Sequence, residues 1–169
     1  MRKIFSIIVL ACAATFALSA CNQQDKAADQ QVAAKPTVAP VPTNPSDKAA
    51  WKQYLVSVVN ANLQGVKTNH PYMYFVPAGD DDTAKGDRQN QLDNVKTVVS
   101  RGVLPGNMMA FGGPDSKATS DLIVQAFAGA QAGALKDVIV LFIGAPADLD
   151  PVKAAVQPSG AEVRFVEAK

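Results

Sequence analysis

Residues that carry chemistry are scarce in this chain. Its 169 residues include one histidine, His70, two cysteines, Cys12 and Cys21, and one tryptophan. A serine triad needs a histidine beside its nucleophile, and no Gly-x-Ser-x-Gly elbow is present to supply the serine. Phosphate loops of the Gly-x-x-x-x-Gly-Lys-Ser/Thr type are missing, as is Gly-x-Gly-x-x-Gly. Positive charge is not in excess either: 16 basic residues face 15 acidic ones, and the basic ones include Arg2 and Lys3 at the start. Without those two the balance is slightly negative, which argues against nucleic acid or an anionic lipid surface as a partner. No internal repeat stands out, and the long apolar run is confined to the beginning.

There, Arg2 and Lys3 precede an apolar run from Ile4 to Ala17, interrupted by Ser6 and Thr15. Small residues follow, and then the abruptly polar "NQQDKAADQQ". A spanning helix needs about 20 apolar residues. A positive end, a shorter apolar run and small residues form instead the pattern of a cleaved secretory signal. The seam reads "LSAC", Leu18 to Cys21.

This seam resembles the lipobox of bacterial lipoproteins, and the resemblance covers residues 1–21. It implies that the Cys21 thiol is acylated, that residues 1–20 are removed, and that the mature chain is anchored in a membrane by its lipid. Cys12 would leave with the signal, so the mature protein would have no free thiol, disulfide or thiolate metal site. One acyl chain holds a protein only marginally, at about 0.8 kcal/mol per buried methylene, and members of the family carry several. Asn22 follows the cysteine where aspartate is the inner-membrane retention signal in enteric bacteria. The expected location is therefore the inner leaflet of an outer membrane, facing the periplasm.

From the lipidated cysteine to Pro45 the chain is rich in Gln, Ala, Thr and Pro, with Val32, Val38 and Val41 as its larger apolar residues. Such a segment buries too little to order itself and reads as a disordered tether, residues 21–45. It also contains one Pro-x-x-Pro, Pro42 to Pro45, the spacing of a proline-rich docking motif. Residues 46–169 are the globular part, long enough for one domain with its own core.

Within it, helical and strand patterns alternate. Ser46 or Asp47 caps a helix through Trp51, Leu55, Val58, Val59 and Leu63, ending near Gly65. "PYMYFVP" reads as a strand between two prolines. A second helix from Asp87 carries Leu92, Val95, Val98 and Val99 and stops at Gly102, and "NMMAFGG" is the second strand. Ser116 or Thr119 starts a third helix through Leu122, Ile123, Ala126 and Phe127, followed by the strand "VIVLFIG". Asp150 with Pro151 opens a short fourth helix, and "EVRFVE" is the last strand. The expectation is an α/β domain: a small open parallel sheet of four strands with flanking helices. "VIVLFIG" is apolar on both faces and "YMYFV" nearly so, and both are expected at the centre, whereas "EVRFVE" is half polar and belongs at an edge. That gives the order 2-1-3-4, as in a shortened flavodoxin-like sheet.

In open α/β sheets ligands bind beyond the carboxyl ends of the strands, where neighbouring connections diverge. With that order the crevice falls between the first and third strands. Three glycine- and aspartate-bearing segments converge there: "AGDDDTAKGDR", "GGPDSK" and "GAPADLDP". Candidate ligand-binding residues are Gly79, Asp80, Asp82, Gly112, Gly113, Asp115, Ser116, Lys117 and Gly144. Free N–H groups at the start of the third helix suit an anion, and the aspartates offer oxygens to Mg²⁺ or Ca²⁺. The competing role for Asp115 or Ser116 is a helix cap, and for the aspartate run a solvated loop before a helix N-terminus. His70 falls at the opposite edge and reads as a loop residue. Tyr72, Tyr74, Met108 and Met109 read as core.

No complete catalytic set emerges, and no cofactor is implied. The favoured expectation is a membrane-anchored periplasmic lipoprotein whose noncatalytic α/β domain binds an envelope protein. The alternative is a metal-assisted hydrolase of small phosphoryl substrates built on the aspartate loop.

Overall fold

The computed structural model describes residues 37–68 and 70–169. Cys21, the signal and most of the expected tether lie outside the described residues. Helix α1, Lys48–Ala61, starts where the Asp47 carboxylate accepts the Ala50 N–H at 2.9 Å, and it buries Trp51, Tyr54, Leu55, Val58 and Val59 along one stripe. It stops at Asn62, short of Gly65, because the Asn62 side-chain amide donates to the Val58 carbonyl at 2.7 Å. Leu63 is left exposed beyond it.

Strand β1, Tyr72–Phe75, leads to α2, Asp82–Arg101. This helix begins five residues earlier than the Leu and Val periodicity predicts, because Asp81 rather than Asp87 caps it and Asp87 lies inside its second turn. Strand β2, Met108–Gly112, precedes α3, Ser116–Phe127, and β3 spans Ile139–Gly144. A 3-10 turn, Pro146–Asp148, runs into α4, Leu149–Val156, so the expected Asp150 cap is instead a first-turn residue. Strand β4, Glu162–Glu167, completes the sheet.

All four strands are parallel, as expected, but their order is β1-β2-β3-β4 and not 2-1-3-4. β2, not β1, lies beside β3 in the interior and is buried at every position, while Tyr72 and Met73 of β1 are 41% and 37% exposed. The aromatic richness of β1 does not mark a central strand. Helices on the two faces reach its free side and cover Tyr74 and Phe75, so an edge position is compatible with apolar residues on both faces.

The order has a consequence for the layers. Each connection moves one strand over in the same direction, so successive crossovers of one hand lie on one face. Accordingly α2, α3 and α4 pack with Tyr74, Met109, Phe111, Val140 and Phe142. The other face, with Met108, Ala110, Ile139, Leu141 and Ile143, is covered by α1. Arg164 of β4 reaches this second layer and donates to the Asn62 and Gln64 carbonyls at 3.2 and 2.6 Å, holding the chain that leaves α1.

Residues 37–45, expected as the end of the tether, lie along α1. The Ala39 N–H donates to Ser57 Oγ at 2.9 Å, the Trp51 indole N–H donates to the Asn44 carbonyl at 3.1 Å, and Val41 packs against the α1 cluster. The packed chain therefore reaches back past Ser46.

Candidate functional site

With no reversal in strand order there is no diverging crevice between β1 and β3. The carboxyl edge nonetheless brings the loops after β1, β2 and β3 close together, and glycines permit this. A β-carbon on Gly113 would lie 1.9 Å from the Val76 carbonyl oxygen, so the chain leaving β2 can cross the end of β1 only without a side chain. At Gly144 it would lie 2.6 Å from both Ser116 Oγ and the Phe142 ring, and at Gly112 2.6 Å from a Leu55 methyl. Gly79 has φ 106°, a conformation that favours glycine.

Asp81, Asp115, Ser116 and Lys117 at this edge are engaged in building it, whereas Asp80 and Asp82 are exposed. Asp81 accepts the Ala84 N–H at 3.0 Å. That bond, aided by Arg88, holds its carboxyl below the ordinary aspartate range. Asp115 likewise caps α3, accepting the Ala118 N–H at 2.9 Å. Ser116 Oγ donates to Asp148 Oδ2 at 2.6 Å and accepts the Ala145 N–H at 2.7 Å. Lys117 bonds both carboxylate oxygens of Asp121, which raises the lysine pKa. Asp82 is the exposed first residue of α2.

Asp80, Asp115 and Lys117 do share one surface groove of about 430 Å³ between α2 and α3, together with Lys85, Arg88 and Asp121. It carries charges of both signs, three acidic and three basic. Arg88 is held in place there by the Pro77 and Gly79 carbonyls at 3.0 and 2.7 Å, so it organises the loop after β1. Among the described residues no group of three His, Cys, Asp or Glu side chains could hold a metal ion. The roles of Arg88 and Asp148 were not legible from the sequence, since both depend on loops that meet only after folding. His70 precedes β1 at the amino edge, away from these loops, as expected.

A second groove, about 410 Å³, follows the free side of β1. Lys48 and Lys52 of α1, Met73 and Phe75 of β1, and Asp87 and Gln91 of α2 line it. Lys48 and Asp87 form a 2.8 Å ion pair that joins the two helices at this groove. Nothing in the sequence patterns points to it, because it exists only when β1 is an edge strand. No family model, curated protein or solved structure matches the chain.

Proposed function

We propose that this protein is a membrane-anchored lipoprotein of a bacterial envelope, held by Cys21 and facing the periplasm, whose α/β domain acts by binding an envelope protein. The observation that supports the noncatalytic reading is the engagement of Asp115 and Ser116 with the fold itself, the two candidates beside the free N–H groups of the third helix. Asp115 caps a helix, and Ser116 is saturated by Asp148 and Ala145. A carboxylate or hydroxyl fixed in this way supports architecture and is not poised for a substrate. The anchor follows from the lipobox resemblance, and Cys21 lies outside the described residues.

Three experiments test the proposal. Replacing Cys21 with Ser should leave the precursor unacylated and uncut by the lipoprotein route; membrane-bound protein still cut before residue 21 would sink the anchoring. Cross-linking the native lipoprotein in cells should capture a reproducible envelope partner. Turnover of p-nitrophenyl phosphate that is lost in Asp80→Ala would replace the binding reading with the hydrolase one.

A further inference from the structure

We infer that the free edge of β1 is the docking surface, and that it takes an extended acidic peptide segment as a fifth strand. This rests on the binding reading above and specifies its surface and the partner's chemistry. The Val76 N–H donates to the Gly112 carbonyl at 2.9 Å and so faces β2. Backbone groups alternate sides along a strand, which turns those of Tyr72 and Tyr74 toward β2 as well. The N–H and C=O of Met73 and Phe75 therefore point away from the sheet, and no described residue bonds them.

Pro71 and Pro77 occupy the same outward positions at either end and have no N–H to offer. The edge thus presents two donors between two prolines, enough for a peptide of about five residues and too short for open-ended sheet growth. Helices α1 and α2, from opposite faces, wall this edge and make it the floor of a groove. A strand seated there would turn alternate side chains toward α1 and α2. On the α1 side Lys48 is matched by Asp87, whereas Lys52 pairs with no described residue, so the groove's uncompensated charge is positive. A carboxylate on the incoming strand complements it.

The other edge differs. Glu162 and Ala168 donate to Val138 and Gly144, which leaves Val163, Phe165 and Glu167 facing outward. That strand and the residues after it carry charge at Glu162, Arg164, Glu167 and Lys169, a pattern that discourages strand addition.

The test is a titration of the ¹⁵N-labelled full chain with an acetylated, amidated pentapeptide of alternating valine and glutamate. The expected result is shifts of the Met73 and Phe75 amide signals, abolished when alternate peptide nitrogens are methylated. Lys52→Glu should weaken binding about threefold to fivefold, as for an exposed ion pair. Met73→Pro removes an outward N–H without touching the β1–β2 ladder and should also abolish binding; its melting curve reports whether it folds, and the methylated peptide tests the same bond if it does not. Absence of shifts at millimolar peptide, shifts confined to Val163, Phe165 and Glu167, or indifference to methylation would each overturn the inference. A cellular partner cross-linked elsewhere would overturn it while leaving the binding function intact.

Discussion

Ser116 and Asp148 are joined by a 2.6 Å hydrogen bond that ties the start of α3 to the turn after β3. The same hydroxyl accepts the Ala145 N–H, and Ser120 Oγ donates to the Asp148 carbonyl at 3.1 Å, so α3 and this turn are held at several points. A residue whose position suggests an anion ligand is here a structural fastener.

Ser116→Ala is therefore expected to cost about 1–2 kcal/mol, because it leaves the Ala145 N–H and a carboxylate oxygen without their partner. Mg²⁺, Ca²⁺ and phosphate should leave the melting temperature unchanged, whereas a ligand at 100 times its dissociation constant would add about 2.7 kcal/mol. A thermal shift that disappears in Asp80→Ala and Asp82→Ala would promote the hydrolase reading.

Two glycines should respond in opposite directions to the same substitution. Gly113→Ala forces a methyl to within 1.9 Å of the Val76 carbonyl oxygen and should destabilise by about 3 kcal/mol or more, since backbone cannot yield cheaply. Gly86 lies exposed in α2 with nothing within 4 Å, so Gly86→Ala should stabilise by about 0.5–1 kcal/mol. Urea melts of the two variants check the contrast, and equal effects would contradict the packing described at Gly113.

Tyr74 stacks on Phe111 with ring centroids 4.8 Å apart, and its buried hydroxyl finds no hydrogen-bond partner among the described residues. Tyr74→Phe should thus be neutral to about 1 kcal/mol stabilising at neutral pH. Burial first, and the neighbouring Tyr72 second, push the Tyr74 phenol from 10.0 up to about 12. Above pH 10 the unfolded chain releases this proton before the folded one. The stability it contributes is complete below pH 10 and is lost as pH rises toward 12, by at most about 1.4 kcal/mol per pH unit. Melting of Tyr74→Phe should fall less steeply over that window; identical slopes would refute the assignment.

A chain beginning at Ser46 should be less stable than one beginning near residue 37. It loses the Ala39–Ser57 and Asn44–Trp51 hydrogen bonds and the contact of Val41. The shorter chain no longer has to order residues 37–45 on folding, which offsets part of the loss, so the net cost is about 1–3 kcal/mol, or several degrees of melting temperature. Coincident melting curves would mean that residues 37–45 contribute nothing to the domain.

The candidate site was legible in part. Glycine between strand and helix, followed by Asp115, marked a helix cap, and the cap is present, whereas the close approach of Gly113 to Val76 is visible only in the structure. Arg88 could not be read in the same way, because its carbonyl partners belong to a loop whose path depends on the end of β1. The β1 groove was hidden for a different reason: it is a property of strand order.

Periodicity and punctuation by themselves determined the alternation of helix and strand, the parallel sheet and several boundaries, because a helix stripe, a cap or a proline acts within a few residues of itself. Only the tertiary structure decided that β1 is an edge, that Arg164 holds the chain leaving α1, and that Val41 belongs to the domain. Apolar content reports how much surface a residue must lose to water, not whether a neighbouring strand or an overhanging helix removes it. The same "YMYF" is satisfied in either place, so its composition does not decide the strand order; the interior position went to "MMAFG", against whose Gly112 the α1 residue Leu55 packs closely.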